Sequence, residues 1–206
     1  MASSQALPTV LVLALDELTE EMPIDFLKNE VDVTFVTSEV EASEYLQTQR
    51  FTAVFVADPI IVAESPNLRR QVTTFAKTGG KVILGYFFSS LVRFPDFDEY
   101  MQTEWDLPWR YGNYSREYFQ LNPQGVNLCR EPGLPTSYSM KAGRINFVEP
   151  ASKIYYPYYP EGEEHPDSTQ AGIAFTRIGD GWLGYIGDVN QEEDTCDVIL
   201  AMIGKS

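Results

Sequence analysis

Cysteine and histidine are nearly absent from this chain of 206 residues, which has two cysteines, Cys129 and Cys196, and one histidine, His165. The cysteines are far apart and form no CxxC pair, so neither a disulfide framework nor a zinc cluster is indicated, and both are expected to be free thiols. With one histidine, any Ser-His-Asp triad must run through His165. Its neighbours Glu163, Glu164 and Asp167 fit a solvated loop residue better than a catalytic base. Basic residues are also scarce: 15 Lys and Arg stand against 30 Asp and Glu, a net charge of -15. That balance repels phosphate backbones and anionic lipid, so nucleic acid is not an expected partner. No stretch approaches the roughly 18 consecutive apolar residues of a membrane span. The opening MASSQALP has no basic region followed by an apolar one, as a signal peptide would. A soluble, cytoplasmic chain is the expectation.

What is present reads as α/β. Val10 to Leu15 is a continuous apolar run of strand length, as expected for a strand covered on both faces. Val31 to Thr37, Ala53 to Ala57 and Lys81 to Leu84 repeat it. Ser38 with Glu41 fits a capping box opening a helix between the second and third strands. Ser65, Pro66 and Gly79 supply an N-cap, a first-turn proline and a terminating glycine for the next helix, whose Leu68, Val72 and Phe75 share a face. Strand and helix in this rhythm predict a doubly wound, mostly parallel sheet with helices on both faces. The chain length suits a single domain. From about residue 88 to 160 the pattern breaks into an aromatic-rich insertion with no clean helical period and few plain strands. Its Trp105, Trp109, Tyr111, Tyr114, Tyr118 and Phe119 carry too much apolar area to stay solvated. Regular structure returns with a C-terminal hairpin, Ala171 to Ile178 and Trp182 to Ile186, turning at Gly179-Asp180-Gly181. Asn190 with Glu193 then caps a last helix with Cys196, Ile199, Leu200 and Ile203 on one face.

In open α/β sheets, ligands bind beyond the carboxyl ends of the strands. Asp16 and Glu17 follow the first strand, Asp58 the third, Gly85 to Ser90 the fourth, and Gly187 to Asn190 the last. Asp16, Glu17, Glu20 and Glu21 would set like charge beside a dinucleotide or flavin phosphate. That repulsion is on the order of several kcal/mol at low dielectric, against about one returned by a helix dipole. No cofactor is expected. The acids after strands one and three are similar to the magnesium site of a receiver domain, but the lysine-proline pair that should follow its fifth strand is missing, so no metal is assigned.

The run Gly79-Gly80-Lys81-Val82-Ile83-Leu84-Gly85 resembles the fourth strand of the class I glutamine-amidotransferase superfamily, including its trehalose-utilisation-type relatives. In catalytic members that strand ends in a G-x-C-x-G elbow. Setting the first glycine on Gly85 puts Phe87 at the nucleophile position and Ser89 at the second glycine. The last strand, from Gly181 to Glu192, resembles the closing strand of the same superfamily, where Asp188 and Asn190 stand in place of the frequent histidine. The stretch from Trp105 to Arg116, WxLPWxxGxYxR, is similar to uncharacterised fungal proteins. The resemblance implies a degenerate member without the cysteine nucleophile.

Three functional readings stay open. The first is a catalytically degenerate protein that binds a small molecule or a partner at the strand ends. Asp16, Tyr86, Ser90, Trp109, Arg110, Tyr114, Arg116 and Asn190 are the candidate binding residues, the aromatics as a stacking platform and the arginines as carboxylate forks; the alternative, favoured because aromatics usually pack, is a satellite core with Arg110 and Arg116 paired to local acids. The second is a hydrolase or isomerase on a small polar substrate, using carboxylate, tyrosine or arginine groups, with Asp58, Ser89 and Asp188 as candidates. The structural alternative for that pair has Asp188 capping the last helix and Asp58 capping the turn before Pro59. The third is a homodimer component that buries the aromatic insertion against its mate.

Overall fold

The computed structural model describes residues 6–19, 24–28, 30–125, 133–159 and 169–204. Cys129 and His165 lie outside them. The strands are β1 (Thr9–Leu13), β2 (Asp32–Val36), β3 (Ala53–Val56), β4 (Lys81–Leu84), β5 (Arg110–Leu121), β6 (Ser137–Asn146), β7 (Lys153–Pro157), β8 (Ile173–Ile178) and β9 (Gly181–Ile186). The helices are α1 (Asp25–Lys28), α2 (Glu39–Thr48), α3 (Ile60–Ala63), α4 (Pro66–Lys77), α5 (Phe87–Leu91), α6 (Phe94–Glu104) and α7 (Glu193–Ile203). The strands form one nine-stranded sheet ordered β2-β1-β3-β4-β9-β8-β7-β5-β6. From β2 to β9 the pairing is parallel; from β9 onward it is antiparallel.

The apolar runs become strands because both faces of the parallel half are covered, so successive side chains all find a core. Val10, Val12, Ala53 and Phe55 point to one side, with Leu27 of α1 and Val198 and Met202 of α7. Leu11, Leu13, Val54 and Val56 point to the other, with Leu68 and Val72 of α4 and Phe97 and Met101 of α6. Ser38 accepts a hydrogen bond from the Glu41 amide at 3.3 Å and opens α2. Pro66 begins α4, and Gly79, at φ +115, follows its end.

The segment from 88 to 160 is more regular than its sequence suggests. It holds α6 and three strands that continue the sheet. Pro95 sits in the first turn of α6, where its missing N–H costs nothing. Strand β5, between β7 and β6, carries a register shift between Tyr111 and Tyr114 that hides its alternation. The aromatics divide accordingly: Trp105, Trp109 and Phe119 are buried, whereas Tyr114 and Tyr118 are 47% and 63% exposed.

The predicted C-terminal hairpin is present as β8 and β9, but it is central to the sheet, because β9 also pairs in parallel with β4. The antiparallel half curls back on itself. Besides β5, strand β6 bonds the segment after β9: the Gly143 amide donates to the Gly187 carbonyl and the Val189 amide to the Lys141 carbonyl, both at 2.9 Å. A Cβ on Gly187 would lie 2.2 Å from the Gly143 carbonyl oxygen, so only glycine allows this crossing.

Candidate functional site

The sharpest backbone feature at the strand ends is Tyr86. It lies between β4 and α5 at φ 60 and ψ -128, a conformation that side chains rarely adopt, and α5 starts at the next residue. This is the geometry of a nucleophile elbow, a strained strand-to-helix turn that lifts one side chain above the sheet. The tight turn is thus built without its second glycine. The elbow residue is Tyr86, one position before the Phe87 that alignment on Gly85 selects. The ring of Tyr86 packs edge-on against Phe87, with centroids 4.6 Å apart, and is 7% exposed. Gln191, itself at φ 56, lines the same void as Tyr86, and burial raises the Tyr86 phenol pKa. The loops after β4 and β9 therefore each hold a residue at positive φ, and the two side chains meet.

Beside Tyr86 the space is almost full. The void bounded by Phe55, Tyr86, Ile186, Asp188, Thr195 and Cys196 measures about 10 Å³, the size of one water. Cys196 is a free, half-buried thiol there. Burial, then the charge of Asp197, push its pKa up, which disfavours the reactive thiolate.

The carboxylates of Asp58 and Asp188 are 1% exposed and fully engaged. In Asp58, Oδ2 accepts from the amides of Leu15 (2.6 Å) and Asp16 (3.0 Å) and from the Thr19 hydroxyl (2.9 Å). Its Oδ1 accepts from the Ile60 amide at 3.1 Å. Asp58 thereby ties the loop after β1 to the end of β3 and fills the crevice where the strand order reverses. Asp188 accepts from the amides of Asn190 (3.0 Å) and Glu192 (2.8 Å) and from the Thr195 hydroxyl (2.6 Å). Since Thr195 gives its proton to Asp188, the Tyr138 hydroxyl, 3.0 Å away, donates to Thr195. The two carboxylates share no partner among the described residues. The predicted Asn190 cap of α7 is corrected here: Glu192 is the N-cap residue, without a side-chain cap bond, and Asp188 takes the amides instead.

The other candidates spread over three places. Asp16 is half-buried and accepts the Leu18 amide at 2.9 Å, an Asx turn. Ser89 is buried and donates to the Tyr86 carbonyl, while Ser90 is exposed and donates to that of Phe87. Tyr114, Arg116 and Tyr118 line the outer face of β5; Lys141 lies 5.0 Å from the Tyr114 ring, and Arg116 pairs with Glu192 at 2.7 Å. The Trp109 ring is 2% exposed and belongs to the core. Arg110 instead projects into a cleft of about 640 Å³ between α6 and the start of β5, walled by Asp98, Glu99, Asp106 and Phe147. Gln191, Tyr138, Thr195 and Phe147 escape a sequence reading because their partners are distant in the chain. Asp58 and Asp188 are visible in the sequence because they follow strands.

No family model and no curated protein matches the sequence. Solved structures do match in shape. A ThuA-like protein of Bacteroides uniformis superposes with a TM-score of 0.60 over 98% of this chain and 92% of its own, at 10% identity. A protein from Thermoplasma acidophilum described as a GMP synthase component gives 0.61 over 97% and 94%, at 8% identity. A β-galactosidase from Bacillus circulans gives 0.59 over 94% of this chain, which spans 30% of the enzyme, at 16% identity. Similarity at these identities shows the fold alone: an α/β architecture shared with these proteins.

Proposed function

We propose that this chain is a catalytically degenerate protein of amidotransferase-like fold, whose role is to bind a small molecule or a partner on the strand-end side of its sheet. One observation carries the reading: the elbow is present, but its residue is a buried tyrosine facing a void of about 10 Å³. Covalent acyl transfer needs a nucleophile with space beside it for a carbonyl and its leaving group. Tyr86 lacks that space, and burial holds its proton on. Asp58 and Asp188 are anchored by amides and hydroxyls, which supports capping roles over acid-base work. Open volume lies elsewhere, in the cleft of about 640 Å³ at Arg110 and in a groove of about 940 Å³ between α2 and α4.

The test is ammonia release from L-glutamine by the purified chain, compared with Tyr86→Phe. The expected result is no release above the protein-free control for either. Release that vanishes in Tyr86→Phe would show a working elbow.

A second reading, an assembly component, is favoured by the outer face of β5, where Tyr114, Arg116 and Tyr118 stand exposed. Light scattering would then give a dimer mass that Tyr118→Glu reduces to a monomer.

A further inference from the structure

The cleft between α6 and β5 holds charges of both signs that do not neutralise each other. Arg110 makes no ion pair within 4.0 Å among the described residues, although Asp98, Glu99 and Asp106 line the same walls. Other contacts and the backbone fix these walls. Asp98 accepts the Tyr111 amide at 2.8 Å. Asp106 stands at φ 57. The Arg110 guanidinium lies 5.8 Å from the centre of the Phe147 ring, and Phe147 is itself at φ 58 and 63% exposed. A bulky residue with positive φ is an outlier, and such strain clusters where a binding surface is held in shape.

The chemistry narrows the occupant. A simple anion would meet three carboxylates, and a simple cation would meet Arg110. No group of three acids among the described residues could hold a metal ion. A neutral polyol would displace water from four charged groups and return no charge to any of them. A molecule with both an ammonium and a carboxylate satisfies the arrangement. Its carboxylate takes the fork of Arg110, its ammonium lies among the acids, and its apolar part lies on Phe147, Leu107 and Pro108. The geometry points to this cleft as a binding site for a zwitterionic amino acid or short peptide. This deepens the binding half of the reading above and rests on it.

Titration calorimetry of the intact chain tests it with L-phenylalanine and glycyl-L-phenylalanine, against L-phenylalaninamide and N-acetyl-L-phenylalanine. At least one zwitterion binds with Kd below about 1 mM, and each blocked derivative of L-phenylalanine binds no less than about tenfold more weakly than the parent. Glycyl-L-phenylalanine alone binding would select the peptide. Arg110 is exposed, so Arg110→Ala should fold; it makes the acid and its amide bind alike. No binding by either zwitterion, a blocked form that binds as tightly as its parent, or discrimination that survives Arg110→Ala overturns the proposal. Release of ammonia from glutamine would instead overturn the non-catalytic reading and leave this binding result standing.

Discussion

At the scale of single residues, Tyr86 determines what the strand ends can do. Its φ of 60 and ψ of -128 fall where glycine is at ease and any Cβ is strained by about 1–3 kcal/mol. The ring is retained against that strain by burial. Two truncations separate the contributions. Tyr86→Ala loses the ring and keeps the strain, while Tyr86→Gly loses both. Chemical denaturation should therefore find the glycine variant more stable than the alanine variant by about 1 kcal/mol, the reverse of the usual order for an ordered position. Equal stability, or alanine ahead, would mean the turn is not strained. The shift from Phe87 to Tyr86 also shows what sequence alone can locate. The fourth strand and its glycine are legible in the apolar run and its flanks. The end of β4 at Leu84 is legible too, but which residue occupies the turn is set by backbone dihedrals, and aligning Gly85 on the family's first glycine places it one residue too late.

At the scale of elements, the parallel half follows from its sequence because each strand is a short apolar run and two of the helices between them, α2 and α4, have recognisable beginnings, whereas the short α1 and α3 carry no such signal. The expected bounds of the fourth strand, Lys81 and Leu84, are those of β4, and Ser38 and Pro66 open helices as their chemistry dictates. The region from 88 to 160 is less legible for two physical reasons. Pro95 resembles a breaker unless it is known to sit in a first turn, and the irregularity between Tyr111 and Tyr114 puts the alternation of β5 out of phase. Nor does any local pattern reveal that β6 returns across the end of β9. That crossing depends on Gly187, whose Cβ would strike the Gly143 and Gly172 carbonyl oxygens at 2.2 and 2.6 Å. Gly187→Ala should cost about 3 kcal/mol through forced backbone movement, visible as a lower urea midpoint. A change below about 0.5 kcal/mol would show that β6 does not close there.

At the scale of the whole molecule, buried phenols set its response to alkali. Burial pushes Tyr111 up to about 12, and raises Tyr86, Tyr100, Tyr138 and Tyr185 above the ordinary value of 10.0. The unfolded chain ionises these groups near 10, while the folded chain keeps them neutral. Stability is therefore whole below about pH 10 and falls as pH rises through about 10 to 12. Urea midpoints at about pH 9 and about pH 11 should show the drop, with phenolate absorbance of these residues appearing together with unfolding. Among the described residues no helix is long and apolar enough to cross a membrane. The candidate site is partly legible at this scale: the strand ends follow from the open α/β sheet and Arg110 from the dense aromatic stretch around it. The closing of the elbow and the opening of the cleft are products of packing between distant segments. The central claim, an elbow closed by its own tyrosine, is tested most directly by treating the chain with a glutamine-analogue electrophile, 6-diazo-5-oxo-L-norleucine, and mapping adducts by peptide mass spectrometry. The account predicts no adduct on Tyr86, Phe87 or Cys196. Stoichiometric labelling of Tyr86 or Cys196 would contradict it.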